Sequence, residues 1–295
     1  MPSVWQGVHT AIVTPFRSAG TRAGAGHGSQ VIDEPAYRAL LSRQIRGGVQ
    51  GVVVAGTTGE SPTLDAAERD LLLRVALEEA GGGLPITMGV GTNDTRSTVA
   101  NTERARDLGA AAGLLVLPYY NKPTPEGLRA HVHAAASVGL PLVVYHVPGR
   151  TAQRLSPELL ASLCEIDGIV ACKEATGDVQ FGQDLMLLTK KPVLSGDDFT
   201  WLPLLAVGGS GVISVVSNVA PAATVAVWQA WKAGDAATAA ARHRALYPLV
   251  RWLFAQTSPV PCKAALAALG LCAPDCRLPL TTGQPPPAEL LAGIV

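Results

Sequence analysis

The sequence predicts a (β/α)8 TIM barrel, an α/β fold, followed by a C-terminal helical segment. Eight short apolar runs recur at roughly regular intervals, and helix-like stretches separate most of them. A doubly wound open sheet is the structural alternative, but it usually has fewer strands. It would also carry a Gly-x-Gly-x-x-Gly motif after its first strand, which this chain lacks. The closed barrel is therefore favoured.

The predicted strands share flanking turn residues and a length typical of buried strands. They cover residues 8–14, 51–55, 85–90, 113–118, 141–147, 169–173, 192–195 and 211–216. Helices are predicted at residues 66–80, 95–108, 125–138 and 157–164.

Beyond Pro221 the chain is Ala-rich and helical to about residue 271, which is too long for one closing helix. We therefore assign residues 1–233 to a catalytic barrel and residues 234–295 to a C-terminal helical segment.

Composition argues against several classes of protein. Lys plus Arg equals Asp plus Glu at 23 each, so no excess charge favours nucleic acid or an anionic membrane as a partner. The charge-free stretch 199–231 is interrupted by prolines and glycines, which argues against a transmembrane helix. The N-terminus has no basic region followed by an apolar core, so we expect a cytoplasmic protein.

Cysteines and histidines give no sign of a metal site. The five cysteines include no Cys-x-x-Cys pair, which predicts buried free thiols in a reducing compartment. Cys272 and Cys276 alone are too few for zinc. His131 and His133 are two residues apart and diverge on a helix, so we expect a solvated face; His9 is expected to be structural.

Lys173 ends the sixth apolar run. Strand alternation predicts that Ile169, Ala171 and Lys173 share one face. An ammonium at the end of a buried strand is costly unless it is paired, neutral or covalently used, and a neutral lysine can attack a carbonyl to form a Schiff base. The structural alternatives are a lysine that reaches solvent or one that pairs with Glu174.

Polar residues follow the other strands at the end where barrels carry their active sites. Thr57 and Thr58 lie in a glycine-bounded loop that could hold a carboxylate, or could form an ordinary capped turn. Tyr120 could serve catalysis or interface packing. Tyr145 could relay protons, and Arg150, on the following loop, could bind a carboxylate bidentately.

Six motifs together resemble the dihydrodipicolinate synthase family of pyruvate-dependent class I aldolases. They run in order along nearly the whole chain, and a seventh match lies in the C-terminal helices at residues 259–263. The six are Gly56-Thr57-Thr58-Gly59-Glu60, Pro118-Tyr119-Tyr120-Asn121-Lys122-Pro123, the run from Tyr145 to Thr151, Lys173-Glu174-Ala175-Thr176-Gly177, Ser195-Gly196-Asp197-Asp198 and Gly211-Val212-Ile213-Ser214-Val215.

The resemblance implies a lyase that forms a Schiff base between Lys173 and pyruvate without a cofactor. The enamine then attacks aspartate semialdehyde, and cyclisation releases a precursor of lysine and diaminopimelate. Tyr145 would donate and accept protons, linked through Thr57 to a tyrosine of a neighbouring subunit whose position Tyr120 matches. The family pattern also implies a homotetramer built as a dimer of dimers.

Four further residues match substrate-binding positions of the family. Thr58 and the backbone at Ile213 would hold the pyruvate carboxylate, with Gly196 beside them, and Arg150 would receive the semialdehyde carboxylate.

Three positions depart from the family pattern. His146 stands where many members carry Asn, but its outward face predicts little effect on the chemistry. The loop at residues 19–28 is longer than usual, and no chemistry is assigned to it. Ser97 occupies the position of an acidic residue of lysine-inhibited members, after Asn93, so we expect weak or absent feedback inhibition by lysine.

Two other functions stay open at this level. A sister aldolase, such as N-acetylneuraminate lyase or a keto-deoxy sugar-acid aldolase, would share the lysine, Tyr145 and the threonine loop; Arg150 favours an acidic aldehyde instead. A non-catalytic pyruvate-binding protein would need no nucleophile, so the joint presence of Lys173, Tyr145 and Tyr120 argues against it.

Overall fold

The computed structural model describes residues 4–18 and 30–293, so the glycine-rich loop at 19–28 lies outside the described residues. Ten strands lie within the described part: β1 (Gly7–Ala11), β2 (Phe16–Ser18), β3 (Gln30–Ile32), β4 (Gly51–Val54), β5 (Ile86–Gly89), β6 (Ala112–Val116), β7 (Leu142–His146), β8 (Ile169–Glu174), β9 (Val193–Ser195) and β10 (Gly211–Ser214).

Eleven α-helices lie in the same described part. They are α1 (Glu34–Gly47), α2 (Ala66–Ala80), α3 (Thr95–Asp107), α4 (Pro125–Ala136), α5 (Pro148–Thr151), α6 (Pro157–Cys164), α7 (Val179–Leu188), α8 (Trp201–Ala206), α9 (Pro221–Lys232), α10 (Ala236–Leu253) and α11 (Val260–Ala268). None of these helices is long and apolar enough to cross a membrane.

Eight of the strands form a closed barrel in the order β1-β10-β9-β8-β7-β6-β5-β4, while β2 and β3 pair antiparallel in a separate hairpin. Each of the eight predicted runs overlaps one barrel strand, so the predicted (β/α)8 class is confirmed. The hairpin was not predicted, because three-residue strands are too short to show a period of two.

The four predicted helices are confirmed to within two residues at each end, and their first turns explain their starts. Asp65 and Glu68 form a reciprocal capping box at α2. Ser156 accepts a hydrogen bond from the backbone of Leu159 at α6, where Pro157 occupies the first turn.

The described residues divide into two compact units, one up to His9 together with Pro85–Ser214, the other from Thr10 to Leu84 and from Val215 onward. The first unit contains β5 to β10 with a core that includes Leu115, Val143 and Leu194. The second contains α1, α2 and the C-terminal helices α9 to α11. The division between residues 233 and 234 stays a prediction.

Within the first unit, the register between β7 and β8 fixes which side chains share a face. Tyr145 pairs with Lys173, and Val143 pairs with Ala171, whereas Leu142 pairs with Ile169. The register therefore shifts between Leu142 and Val143 and passes over Val170. The prediction that Ile169 shares a face with Lys173 is wrong, because this shift interrupts the alternation; Ala171 and Lys173 do share one.

Candidate active site

Lys173 lies near the carboxyl end of β8, and its side chain is only 5% exposed. Its Nζ atom lies 4.0 Å from the centroid of the Tyr145 ring, on the neighbouring strand β7. The face of an aromatic ring attracts a cation but supplies no proton acceptor comparable to a carboxylate. The register of two adjacent strands thus holds the candidate nucleophile against the candidate proton carrier.

Burial lowers the pKa of the Lys173 ammonium from 10.5 to about 7. Two charges make smaller and opposite contributions: the Asp198 carboxylate raises this pKa, and the Arg150 guanidinium lowers it. About half of the amines are then neutral at pH 7, against roughly one in 2,500 for an ordinary lysine.

Neither structural alternative for Lys173 is observed. The side chain is buried, so it does not reach solvent. Within residues 4–18 and 30–293 no carboxylate forms an ion pair with it, and Glu174 instead accepts a hydrogen bond from the backbone of Thr176. Burial also raises the pKa of the Glu174 carboxyl.

Gly196 follows β9 and lies against the lysine stem. A Cβ atom at this position would lie 2.8 Å from Cε of Lys173 and 2.7 Å from Cβ of Ala175, so any larger residue would displace the lysine. Ile213 is buried on β10, which pairs with β9 through Val212 and Ser195. The structure thus places Gly196 in contact with Lys173 and Ile213 on the next strand.

Arg150 belongs to α5, a single helical turn where the sequence predicted a loop. Pro148 starts this turn, and the Arg150 backbone donates a hydrogen bond to Val147 O at 2.9 Å. The Arg150 side chain is exposed, and in the described part of the chain it forms no ion pair. A guanidinium with no intramolecular carboxylate is available for an anionic ligand.

Tyr120 lies apart from this cluster, with 87% of its surface exposed. Its backbone is in the left-handed region at φ 73°. The next residue, Asn121, fixes the turn by donating from its side chain to Asn93 O at 2.8 Å and from its backbone to Tyr119 O at 2.9 Å. Tyr120 therefore does not pack against the lysine of its own chain.

Thr57 and Thr58 lie in the second unit, in the loop that follows β4. Thr57 is half-buried and Thr58 is buried. Two backbone hydrogen bonds close the loop on itself, from Gly59 to Gly56 O at 3.1 Å and from Glu60 to Thr57 O at 3.1 Å. The segment is therefore a tight turn that leaves both threonine hydroxyls on a fixed backbone.

Two histidines of the described residues, His131 and His146, are packed against neighbouring elements, and one of them corrects a prediction. His131 is buried, not solvated as predicted, and its Nδ1 lies 3.0 Å from the hydroxyl of Thr95. His146 packs on the Phe181 ring of α7 at 5.6 Å, as its predicted outward face requires. Burial lowers the pKa of His146 to about 4, and the Arg154 guanidinium contributes in the same direction.

Cysteines and other potential metal ligands form no cluster in the described part of the chain. All five cysteines are free, and four of them are buried, as predicted. No group of three or more His, Cys, Asp or Glu side chains among residues 4–18 and 30–293 could hold a metal ion.

Known proteins resemble this chain over nearly its whole length. The 4-hydroxy-tetrahydrodipicolinate synthase of Thermomicrobium roseum is 43% identical over 289 residues, which cover 97% of this chain and 92% of the relative. A crystal structure of the chloride-inhibited dihydrodipicolinate synthase from Acinetobacter baumannii, complexed with pyruvate, is 39% identical with a TM-score of 0.88, covering 98% of this chain and 99% of that one.

A monomeric dihydrodipicolinate synthase variant superposes with a TM-score of 0.91 at 39% identity, covering 99% of this chain and 96% of that one. Residues 4–286 match the Dihydrodipicolinate synthetase family. This match over nearly the whole chain, together with the relative that is 43% identical, shows that the chain belongs to the Dihydrodipicolinate synthetase family.

Proposed function

We propose that this chain is a lyase that condenses pyruvate with L-aspartate 4-semialdehyde to 4-hydroxy-tetrahydrodipicolinate, in lysine and diaminopimelate biosynthesis. The observation that carries this proposal is Lys173, a buried amine with a pKa of about 7 in a chain of this family. The pyruvate complex of the Acinetobacter baumannii relative supports pyruvate as the first substrate.

In the first step the neutral amine of Lys173 attacks the C2 carbonyl of pyruvate. The carbinolamine loses water and leaves a protonated imine, so the carbonyl oxygen departs with two protons. We assign the delivery and removal of these protons to Tyr145, and the 4.0 Å from its ring centroid to Nζ supports this role.

In the second step a proton leaves C3 and the resulting enamine attacks the aldehyde carbon of the semialdehyde, forming the new carbon–carbon bond. The amino group of the bound semialdehyde then attacks the imine carbon, closes the ring and displaces Lys173 as a free amine. Because the lysine is regenerated, the cycle needs no cofactor.

The two substrate carboxylates are assigned to different groups. Thr58 and the backbone at Ile213 bind the pyruvate carboxylate. Gly196 lies beside them, and its lack of a side chain leaves room for the lysine stem. Arg150 binds the semialdehyde carboxylate, which its exposure and lack of an ion pair among the described residues support.

Proton transfer beyond Tyr145 passes through Thr57 to Tyr120 of a neighbouring subunit, in a homotetramer. The 87% exposure of Tyr120 supports this role, because a tyrosine so exposed is free to enter a partner's site. The five free thiols support a cytoplasmic location.

The test is pyruvate consumption by the purified protein with aspartate semialdehyde, N-acetylmannosamine, glyceraldehyde or glyoxylate, each supplied separately. We expect turnover with aspartate semialdehyde alone. Turnover with a sugar aldehyde or glyoxylate instead would keep the Schiff-base chemistry and identify a sister aldolase. Absence of turnover with every aldehyde, and of a borohydride-trapped pyruvate adduct, would favour a binding protein.

A further inference from the structure

A second buried lysine, Lys263, lies in the apolar helix α11 of the C-terminal part. Its Nζ atom donates to Oε1 of Glu60 at 2.7 Å, and the two side chains are 0% and 1% exposed. Glu60 ends the turn that carries Thr57 and Thr58. The ion pair therefore joins the threonine loop to a helix 203 positions away in the sequence.

The second carboxylate oxygen of Glu60 is also occupied. The backbone of Arg277 donates to Oε2 at 2.9 Å, and the Arg277 guanidinium forms a bidentate pair with Glu68 of α2. The Phe16 ring has Lys263 Nζ at 4.2 Å and the Arg277 guanidinium at 4.3 Å from its centroid. The Glu60 carboxylate is thus fixed by partners at both oxygens.

The backbone of the threonine loop needs such fixing. Glu60 has a φ of 56°, in the left-handed region that non-glycine residues seldom adopt. A Cβ atom at Gly59 would lie 3.1 Å from the backbone of Ala55, so the turn is also closely packed. Ser258, two residues before α11, donates from its hydroxyl to that of Thr58 at 3.4 Å.

A buried ion pair contributes little net stability compared with apolar residues of the same size, because desolvation offsets the attraction. The Lys263–Glu60 pair instead holds Glu60, two residues after Thr58, in a single geometry. Resting on the proposed function, we propose that Glu60, Lys263, Arg277 and Ser258 are positioning residues that orient the Thr58 hydroxyl toward the pyruvate carboxylate. The C-terminal helical part would then set the affinity for pyruvate.

The test compares the parent protein with K263M, E60Q/K263M and S258A. K263M leaves a buried carboxylate without its cation and is expected to lower the Tm. E60Q/K263M removes both charges, so its Tm should return most of the way to that of the parent. In both variants we expect KM for pyruvate to rise about tenfold, the effect of a misplaced hydrogen bond to a charged group. S258A disturbs no charge and should raise KM about threefold.

L253A is the matched control, because Leu253 is buried in α10 and its truncation lowers the Tm through a cavity rather than through the loop. Its KM for pyruvate should stay within about twofold of the parent. A KM for pyruvate in E60Q/K263M and S258A equal to that of the parent would overturn the proposal and leave the pair a purely structural one.

Borohydride trapping can be measured with pyruvate alone. The pyruvate concentration that gives half-maximal trapping then takes the place of KM, and no aldehyde is needed. If the parent forms the adduct but does not use aspartate semialdehyde, the proposed function fails while the positioning role is still tested. The rate of adduct formation falls at low pH, and the midpoint of that fall should be the same in all of these variants because none of them touches Lys173.

Discussion

The two buried lysines of this chain have similar surroundings and different consequences. Lys173 and Lys263 are both buried, both lie in apolar elements, and each holds its Nζ about as far from an aromatic ring, 4.0 Å from Tyr145 and 4.2 Å from Phe16. Lys263 has a carboxylate at 2.7 Å, whereas Lys173 has no ion-pair partner among residues 4–18 and 30–293.

We propose that the partner, rather than burial, separates the structural lysine of this chain from its nucleophile. At Lys263 the side-chain nitrogen lies 2.7 Å from the Glu60 carboxylate, and the ion pair joins α11 to the threonine loop. At Lys173 burial disfavours the charged form and lowers the pKa of the amine to about 7.

The largest expected effect comes from removing the nucleophile. K173M should reduce turnover by about 10⁴-fold or more, because no Schiff base can form. Its Tm should equal or exceed that of the parent, since an apolar side chain replaces a poorly compensated cation. The exposed lysine variant K190M is the control and should retain full activity.

Replacing Lys263 should instead lower the free energy of unfolding. K263M is expected to lose about 3–5 kcal/mol of unfolding free energy in urea titrations, because Glu60 is left buried and unpaired. The surface pair Arg106–Asp107 provides the contrast, and D107N should cost under about 1 kcal/mol. Equal losses in the two variants would remove the distinction between the buried and exposed pairs.

Proton transfer should depend on the hydroxyl of Tyr145 rather than its ring. Y145F should lower kcat about 100-fold, yet retain the ring against Lys173 and therefore still form some pyruvate adduct. Y247F, in the exposed part of α10, serves as the control. A kcat of Y145F within a few-fold of the parent would exclude this tyrosine as the proton carrier.

The pH dependence should report the pKa of Lys173. Because the neutral amine is the nucleophile, the rate of adduct formation should fall as the pH drops through about 7 and level off above it. Between pH 7 and 10.5 the unfolded chain binds the extra proton, so the stability of the parent relative to K173M should rise with pH.

The two charges near Lys173 should shift the acid limb, the fall in the rate of adduct formation at low pH, in opposite directions. D198N removes the carboxylate that raises the pKa of Lys173, so its acid limb should shift to lower pH. R150Q removes a cation that lowers this pKa and should shift the limb to higher pH. Adduct formation with pyruvate alone is the appropriate measurement, because Arg150 is also assigned to the second substrate. Shifts in the same direction would contradict the electrostatic account.

The smallest effect concerns lysine as an inhibitor. Ser97 donates its hydroxyl to Asp94 at 2.6 Å, where it helps to cap α3, and it offers no carboxylate to a lysine ammonium. We therefore expect the initial rate to be nearly unchanged at sub-millimolar lysine. A clear inhibition curve in that range would show that another group supplies the charge.

The barrel and the position of Lys173 at the end of a buried strand were predictable from sequence because both depend on local patterns. Eight apolar runs at barrel spacing defined the fold, and the apolar run ending at Lys173 marked the lysine. The one-turn helix at Arg150 and the β2–β3 hairpin were not predicted, because elements of three or four residues are too short to show a periodicity.

Long-range partners could not be predicted in the same way. Glu60 and Lys263 each resemble an ordinary charged residue locally, and their pairing depends on a contact across 203 positions. His131 looked like half of a solvated pair, although its burial and its contact with Thr95 follow from how α3 and α4 pack. One signal was available, however: Lys263, like Lys173, is a lone charge in an apolar segment.

Borohydride trapping of the parent protein with pyruvate, followed by peptide mapping between pH 6 and 9, tests the distinction between the two lysines most directly. We expect a single adduct, on Lys173, whose yield at short times rises through about pH 7, with Lys263 unmodified throughout. An adduct on Lys263, or a yield at Lys173 that rises only near the pKa of an ordinary lysine, would contradict this expectation.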